Sequence, residues 1–305
     1  MPIVRTDVPM TSQLCNDTIL ALTSTYPFCR SELLAESAFG RPIRTLVIGE
    51  GPRRVLYTAA HHANEWITAP VLLKFVEEFA EALQNGGQIG GVDAAQLSRD
   101  VTIFTVPMVN PDGVDLVTGA IQPGQIAYET AAELSQSFPN IPFPDGWKAN
   151  LLGVDLNLQY PAGWLQAREI KYSQGFDRPG PRDFVGRAPL NQLETRALAG
   201  YTEAIDPELV LAYHTQGKVI YWQFEDIEVP GARELGERMA QVSGYALEDT
   251  PYESAFAGYK DWFIKIFRRP GYTIEVGEGI NPLPLSQFDE IYRDNLPILV
   301  TAAIG

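Results

Sequence analysis

Val55-Leu56-Tyr57-Thr58-Ala59-Ala60-His61-His62-Ala63-Asn64-Glu65-Trp66-Ile67-Thr68-Ala69-Pro70-Val71-Leu72-Leu73-Lys74-Phe75 runs without a break from a strand, through a polar turn, into a helix. Val55–Ala59 is a short apolar run rich in residues that suit a buried strand. Val71, Leu72, Phe75, Phe79 and Leu83 then recur at helical steps, with Pro70 in the first turn, where its missing N–H costs nothing. A strand joined to a helix by a tight turn is half of a βαβ unit. The rest of the chain repeats the theme. Arg44–Ile48 precedes this stretch across the turn residues Gly49, Gly51 and Pro52, and is expected to pair with Val55–Ala59. Val101–Val106, Leu209–Tyr213, Val219–Phe224 and Tyr272–Val276 read as further strands. Leu193 to Ile205 and Gly231 to Val242 read as amphipathic helices, the second ended by Gly244. Ser286 and Asp289 are expected to open a C-terminal helix that Pro297 interrupts or kinks. Alternating strands and helices predict an α/β domain with helices on both faces of a mostly parallel sheet. Val114 to Arg187, rich in Pro, Gly and aromatics, reads as a long irregular rim.

Composition supports one large folded body. The 305 residues are 45% hydrophobic and 20% charged, which excludes a disordered or collagen-like chain, and no repeat or linker divides residues 1–305 into separate domains. The 23 basic and 38 acidic side chains leave a net charge of −15, unsuited to phosphate backbones or anionic lipid. Nucleic acid is therefore not an expected partner, and no apolar run is long enough for a membrane span. Cys15 and Cys29 match no zinc or redox spacing and read as buried free thiols more readily than as a disulfide. No signal-peptide pattern is visible in the first residues, which favours a cytoplasmic place over an extracellular one.

The chain has only three histidines, His61, His62 and His214, and all lie at the ends of expected strands. In open α/β sheets, that is where sites are built. His62 and Glu65, separated by two residues on a turn, bring an imidazole and a carboxylate towards one point, and His214 adds a second imidazole from another strand. Two nitrogens, a carboxylate and an open position suit one catalytic zinc ion. A lone His-x-x-Glu is more often a solvated turn; the joint placement of the histidines is what raises the metal reading. His61 stays open as an orienting residue, a solvent-facing one, or the ligand in place of His62. Glu275 lies within an expected strand, either on a solvent face or aimed at the site, where a carboxylate can serve as general base.

These pieces, taken in order, resemble the zinc metallocarboxypeptidases over residues 17–300. His62-Ala63-Asn64-Glu65-Trp66-Ile67-Thr68 is similar to the family's zinc turn, Asn110-Pro111-Asp112-Gly113 to a strand-end signature, and Gly153-Val154-Asp155-Leu156-Asn157 to a substrate-binding segment. The resemblance implies a three-layer α/β/α sandwich with a mixed, largely eight-stranded sheet. It implies His62, Glu65 and His214 as zinc ligands, Glu275 as general base, and Asn157 as a substrate contact. It also favours His62 over His61.

The departures narrow the substrate. Asn157 is followed by Leu158 where the family carries an arginine that clamps a terminal carboxylate. A second family arginine is expected just after Trp147-Lys148-Ala149-Asn150, where Leu151 stands; Lys148 is the candidate replacement for its charge, with a solvated lysine as the alternative. This combination resembles the bacterial γ-D-glutamyl-L-diamino acid endopeptidases, which implies a small muropeptide substrate. The activity implied is hydrolysis of the γ-D-glutamyl–meso-diaminopimelate (or lysine) amide of peptidoglycan-derived peptides. Lys260 falls near the family's specificity pocket and Tyr252 near its mobile tyrosine, while Arg268 and Arg269 are further candidate cations. The competing readings are a zinc hydrolase of ordinary peptides or N-acyl amino acids, and a binding module that has lost catalysis.

Overall fold

The computed structural model describes residues 2–305. Its main sheet has eight strands in the order Cys29–Arg30, Leu46–Ile48, Val101–Val106, Arg53–Thr58, Leu209–His214, Gly271–Glu275, Val219–Tyr221 and Ala246–Glu248. The three middle pairings, from Val101–Val106 to Gly271–Glu275, are parallel, and antiparallel pairings flank them on both sides. The sheet is therefore mixed, as the resemblance implied, and less parallel than strand–helix alternation alone suggested.

Side-chain alternation builds a core on each face. Val55 and Tyr57 join one cluster with Leu209, Leu211 and Tyr213, whereas Leu56 joins the other with Val210 and Ala212. A register slip of one residue would exchange these sets, so the pattern pins the pairing. The first cluster is covered by helices Ser12–Thr25, Thr68–Asn85, Ala232–Ser243 and Phe288–Ile304, and the second by Trp164–Ser173, Leu193–Ile205 and Tyr259–Phe267. Three layers result.

Several expectations need correction. Leu46–Ile48 and Arg53–Thr58 are not neighbours, because Val101–Val106 lies between them and pairs with both. The expected strand from Arg44 is also split: Pro42–Arg44 forms a separate ribbon with Leu33–Glu36. The irregular rim contains two helices, Ile126–Ser135 and Trp164–Ser173. Their apolar signal is thin, since the first buries only Ala131 and the second Trp164, Ala167 and the stem of Lys171. The C-terminal helix begins at Phe288 with no side-chain cap, and it runs through Pro297 to Ile304. Burial of Phe288, Ile291, Ile298 and Leu299 outweighs the hydrogen bond that proline removes. Cys15 and Cys29 are free and buried. Among the described residues, no helix is long and apolar enough to cross a membrane.

Candidate metal centre and its cleft

Three parallel strands deliver the site at their carboxyl ends. Arg53–Thr58 leads into the histidine pair, Leu209–His214 ends on its histidine, and Gly271–Glu275 ends on its carboxylate, with Glu275 directly opposite His214 in the register. Ala60 adopts a left-handed conformation, φ 50°, just before His61. That strained turn is clamped by Thr68, whose Oγ1 accepts from the Ala60 N–H (3.0 Å) and donates to the Glu65 carbonyl (2.7 Å). Asn110 fixes the turn from below. Its amide donates to the carbonyls of His61 (3.2 Å) and Ala149 (3.0 Å), while its oxygen caps the following helix at Gly113. A Cβ on Gly113 would stand 2.5 Å from the Ala149 carbonyl oxygen, so only glycine allows this approach. The Asn-Pro-Asp-Gly signature therefore binds the histidine turn to the segment that carries Lys148.

His62, Glu65 and His214 converge, with donor atoms all within 4.8 Å of one another. His62 Nδ1 lies 3.0 Å from Glu65 Oε1 and 3.2 Å from His214 Nδ1, which is itself 2.9 Å from Glu65 Oε2. Two ring nitrogens facing each other across a buried carboxylate fit a shared cation: a proton between them satisfies only one pair, whereas one metal ion satisfies all three groups. Asp155 accepts from His62 Nε2 at 3.1 Å and fixes the ring so that Nδ1 points inward. Burial disfavours charge on His62, but Glu65 and Asp155 outweigh it and hold its pKa up at about 9. Burial likewise opposes the charge on Glu65, which His62 and Lys148 nonetheless hold well below the usual carboxylate range.

His61 is no part of that cluster and does not face solvent. It is fully buried, its Nε2 is 3.2 Å from the Tyr160 hydroxyl, and its ring stacks on His214 at 5.6 Å. Burial, reinforced by the neighbouring histidines, keeps it neutral. Glu275 opens onto the same cavity, and its pKa is pushed up to about 8, first by burial and then by the charge of Glu65.

The cavity, of about 260 Å³, is lined by His62, Glu65, His214 and Glu275 together with Lys148, Asn157, Leu158 and Lys260. Lys148 is not a solvated lysine: its Nζ donates to Glu65 Oε1 at 2.9 Å. Asn157 accepts from the backbone of Tyr259 (3.0 Å) and so holds the start of the next helix against the cavity wall. Lys260 is buried and paired with Asp261 at 2.6 Å, and it also reaches the Gln223 carbonyl. Tyr252 stands outside the cavity, 62% exposed and hydrogen-bonded to Gln166, while its neighbours Thr250, Pro251 and Ser254 line the wall. Arg268 and Arg269 are corrected: they follow the helix Tyr259–Phe267 at the start of Gly271–Glu275, at the opposite end of the strands from His214, and Arg269 binds Asp206.

Sequence reasoning did not single out Asp155, Lys171, Arg182 or Asp183, all of which line the cavity. Asp155 lay inside a quoted motif with no role attached. Arg182-Asp183 had a signal of its own, an ion-pair dipeptide after Pro179-Gly180-Pro181 within a long segment.

Residues 16–298 match the family model described as zinc carboxypeptidase. The chain is 42% identical over 289 residues to gamma-D-glutamyl-L-diamino acid endopeptidase 1 of Lysinibacillus sphaericus, covering 95% of this chain and 70% of that protein. Among solved structures, bovine thrombin-activatable fibrinolysis inhibitor superposes with a TM-score of 0.76 at 15% identity, covering 98% of this chain and 97% of that one. A murein-tripeptide amidase of Escherichia coli O157 superposes with a TM-score of 0.55 at 20% identity, covering 89% and 91% of the two chains. These structural likenesses speak for the fold.

Proposed function

The chain belongs to the zinc carboxypeptidase family, and from that premise we propose that it hydrolyses the amide between the γ-carboxyl of D-glutamate and the L-centre of a diamino acid, meso-diaminopimelate or lysine, in peptidoglycan-derived peptides. The relative from Lysinibacillus sphaericus carries that activity in its name. One observation carries the reading to this chain. The cavity that holds the metal centre continues into a neighbouring groove. Beside the cavity runs a groove of about 720 Å³, and the two share Lys148, Arg182, Thr215 and Gln216. Leu158 replaces the clamp for a terminal carboxylate, so a peptide can extend in both directions from the scissile bond.

His62, Glu65 and His214 would hold one zinc ion. When bound, zinc supplies Lewis acidity, polarising the scissile carbonyl and making water acidic near neutral pH. Asp155 would keep His62 in the tautomer that presents Nδ1 towards Glu65 and His214, where the ion would be held. Glu275, beside His214, would accept the proton of the attacking water and return it to the departing amine. Lys148 would place a positive charge beside the carbonyl oxygen as negative charge develops there. His61 and Tyr160 back the ligands with neutral, buried groups.

The test offers zinc-loaded protein L-Ala-γ-D-Glu-meso-diaminopimelate and, separately, a blocked peptide with ordinary α-linkages. Release of free diaminopimelate with L-Ala-D-Glu is the expected result. Cleavage confined to the α-linked peptide, or a preparation that takes up no zinc, overturns the reading.

A further inference from the structure

Four cations line the cleft, and the three lysines each have their ammonium group paired with a carboxylate. Lys148 is held by Glu65 at 2.9 Å, Lys171 by Asp183 at 2.8 Å, and Lys260 by Asp261 at 2.6 Å. Arg182 differs. Its Nε donates to Asp183 Oδ2 at 2.6 Å, while its two terminal nitrogens have no hydrogen-bond partner among the described residues. Its side chain is 40% exposed and borders both the metal cavity and the groove.

The backbone around this arginine is fixed. The Pro181 carbonyl accepts from the N–H groups of Lys148 (2.7 Å) and Ala149 (2.9 Å). The Asp183 N–H donates to Asp155 Oδ2 at 3.2 Å, tying the loop to the residue that orients His62, and Asp183 itself takes a left-handed φ of 63°. Asp183 then holds Arg182 and Lys171 with its two oxygens. A guanidinium anchored through Nε presents its far edge as a preset pair of donors, the geometry that matches a carboxylate.

We propose that Arg182 is the specificity-determining residue for a free carboxylate on the acyl side of the scissile bond, the α-carboxylate that a γ-linked glutamyl residue retains. The inference rests on the γ-glutamyl reading above and names the residue that enforces it. A γ-linked residue carries its α-carboxylate on the third carbon from the scissile carbonyl, within a few ångströms of the metal centre. An α-linked peptide carries an anion at that separation only where the residue on the acyl side is itself a glutamate. Arg182, at the junction of cavity and groove, is placed to meet this group, and the three lysines already have counter-ions. A bound substrate that covers the guanidinium edge without offering a carboxylate would leave it desolvated and unpaired, which counts against the wrong ligand.

The test compares wild type with Arg182→Gln and Arg182→Lys on three substrates: L-Ala-γ-D-Glu-meso-diaminopimelate, its D-isoglutamine analogue with an α-carboxamide, and the first peptide amidated at the L-centre carboxylate of diaminopimelate. Wild type is expected to prefer carboxylate over carboxamide by about 10- to 100-fold in kcat/KM, from the worth of a charge-assisted pair. Arg182→Gln should shrink that preference to within about threefold, chiefly through KM, with zinc content unchanged and the effect of amidating the L-centre the same as in wild type. Arg182→Lys should fall between, because it keeps the charge and loses the fork. The proposal is overturned if either variant keeps the full preference, or if the loss follows the L-centre amide instead. Wild type that cleaves the carboxylate and carboxamide peptides equally also overturns it, yet leaves the γ-glutamyl reading standing. Wild type that cuts only α-linked peptides overturns both.

Discussion

Replacing Glu275 with glutamine removes a proton acceptor while keeping the shape of the side chain, and its consequences separate catalysis, metal binding and stability. Glu275 is no part of the His62–Glu65–His214 cluster, so zinc stoichiometry should be unchanged. Turnover should fall by about 10²- to 10⁴-fold, the usual worth of a positioned general base, with KM little altered. Stability adds an independent reading. In the metal-free protein, burial and the charge of Glu65 raise the Glu275 pKa from 4.5 to about 8. Between those values the folded protein keeps a proton that the unfolded chain has released, so folding weakens as pH rises, by about 1.4 kcal/mol per pH unit at most. The loss begins above the unfolded value and levels off beyond the folded one. Glutamine does not titrate, so the stabilities of the two proteins should coincide at about pH 4.5 and diverge towards pH 8 in favour of the variant. A bound dication opposes both causes of the shift and should flatten the divergence. Urea unfolding of chelator-treated and zinc-loaded protein across this range, with kcat measured on the loaded samples, tests each part. Parallel stability curves for metal-free wild type and variant, or a variant kcat within tenfold of wild type, would refute the reasoning.

Two further substitutions probe what surrounds the ligands. Asp155→Asn should weaken zinc binding by about 10- to 100-fold, because an amide no longer fixes the His62 tautomer; competition against a chelating dye reads this, and an unchanged affinity rules out the orienting role. Lys148→Met should lower kcat by about 10²- to 10³-fold with a smaller change in KM, and Lys148→Arg should recover part of the loss. If Lys148→Met keeps wild-type kcat, that charge does not act on the transition state.

The parts of the site that were legible in sequence are those encoded at strand ends. His62 and Glu65 share one turn, His214 and Glu275 each end a strand, and the parallel sheet gathers those ends at one edge. Local pattern suffices there. Strand order was less accessible, since inserting Val101–Val106 between Leu46–Ile48 and Arg53–Thr58 is a long-range pairing with no mark in the sequence between them. The cleft was least accessible. Lys148 reaches Glu65 from a loop, and Arg182 reaches the cavity only because the Pro181 carbonyl docks on the Lys148–Ala149 backbone. Arg269 shows the converse, a plausible cation by position that the fold carries to the far end of the sheet.

The net charge of −15 is at odds with an acidic substrate only if it acts as a whole. At physiological ionic strength, exposed charges farther off than about 8 Å are largely screened, so a substrate in the cleft responds to the groups that line it. Those are Glu65, Asp155, Asp183, Asp261 and Glu275 on one side and Lys148, Lys171, Arg182 and Lys260 on the other. In the metal-free cleft at neutral pH, Glu275 keeps its proton and His62 keeps its charge, so the acids there do not outnumber the cations despite the overall charge of the protein. The pairing of each lysine with its own acid leaves the direction of attraction to the metal and the free edge of Arg182. Selection of an anionic peptide by so acidic a protein is then a local property, built from a few matched pairs and one unmatched fork.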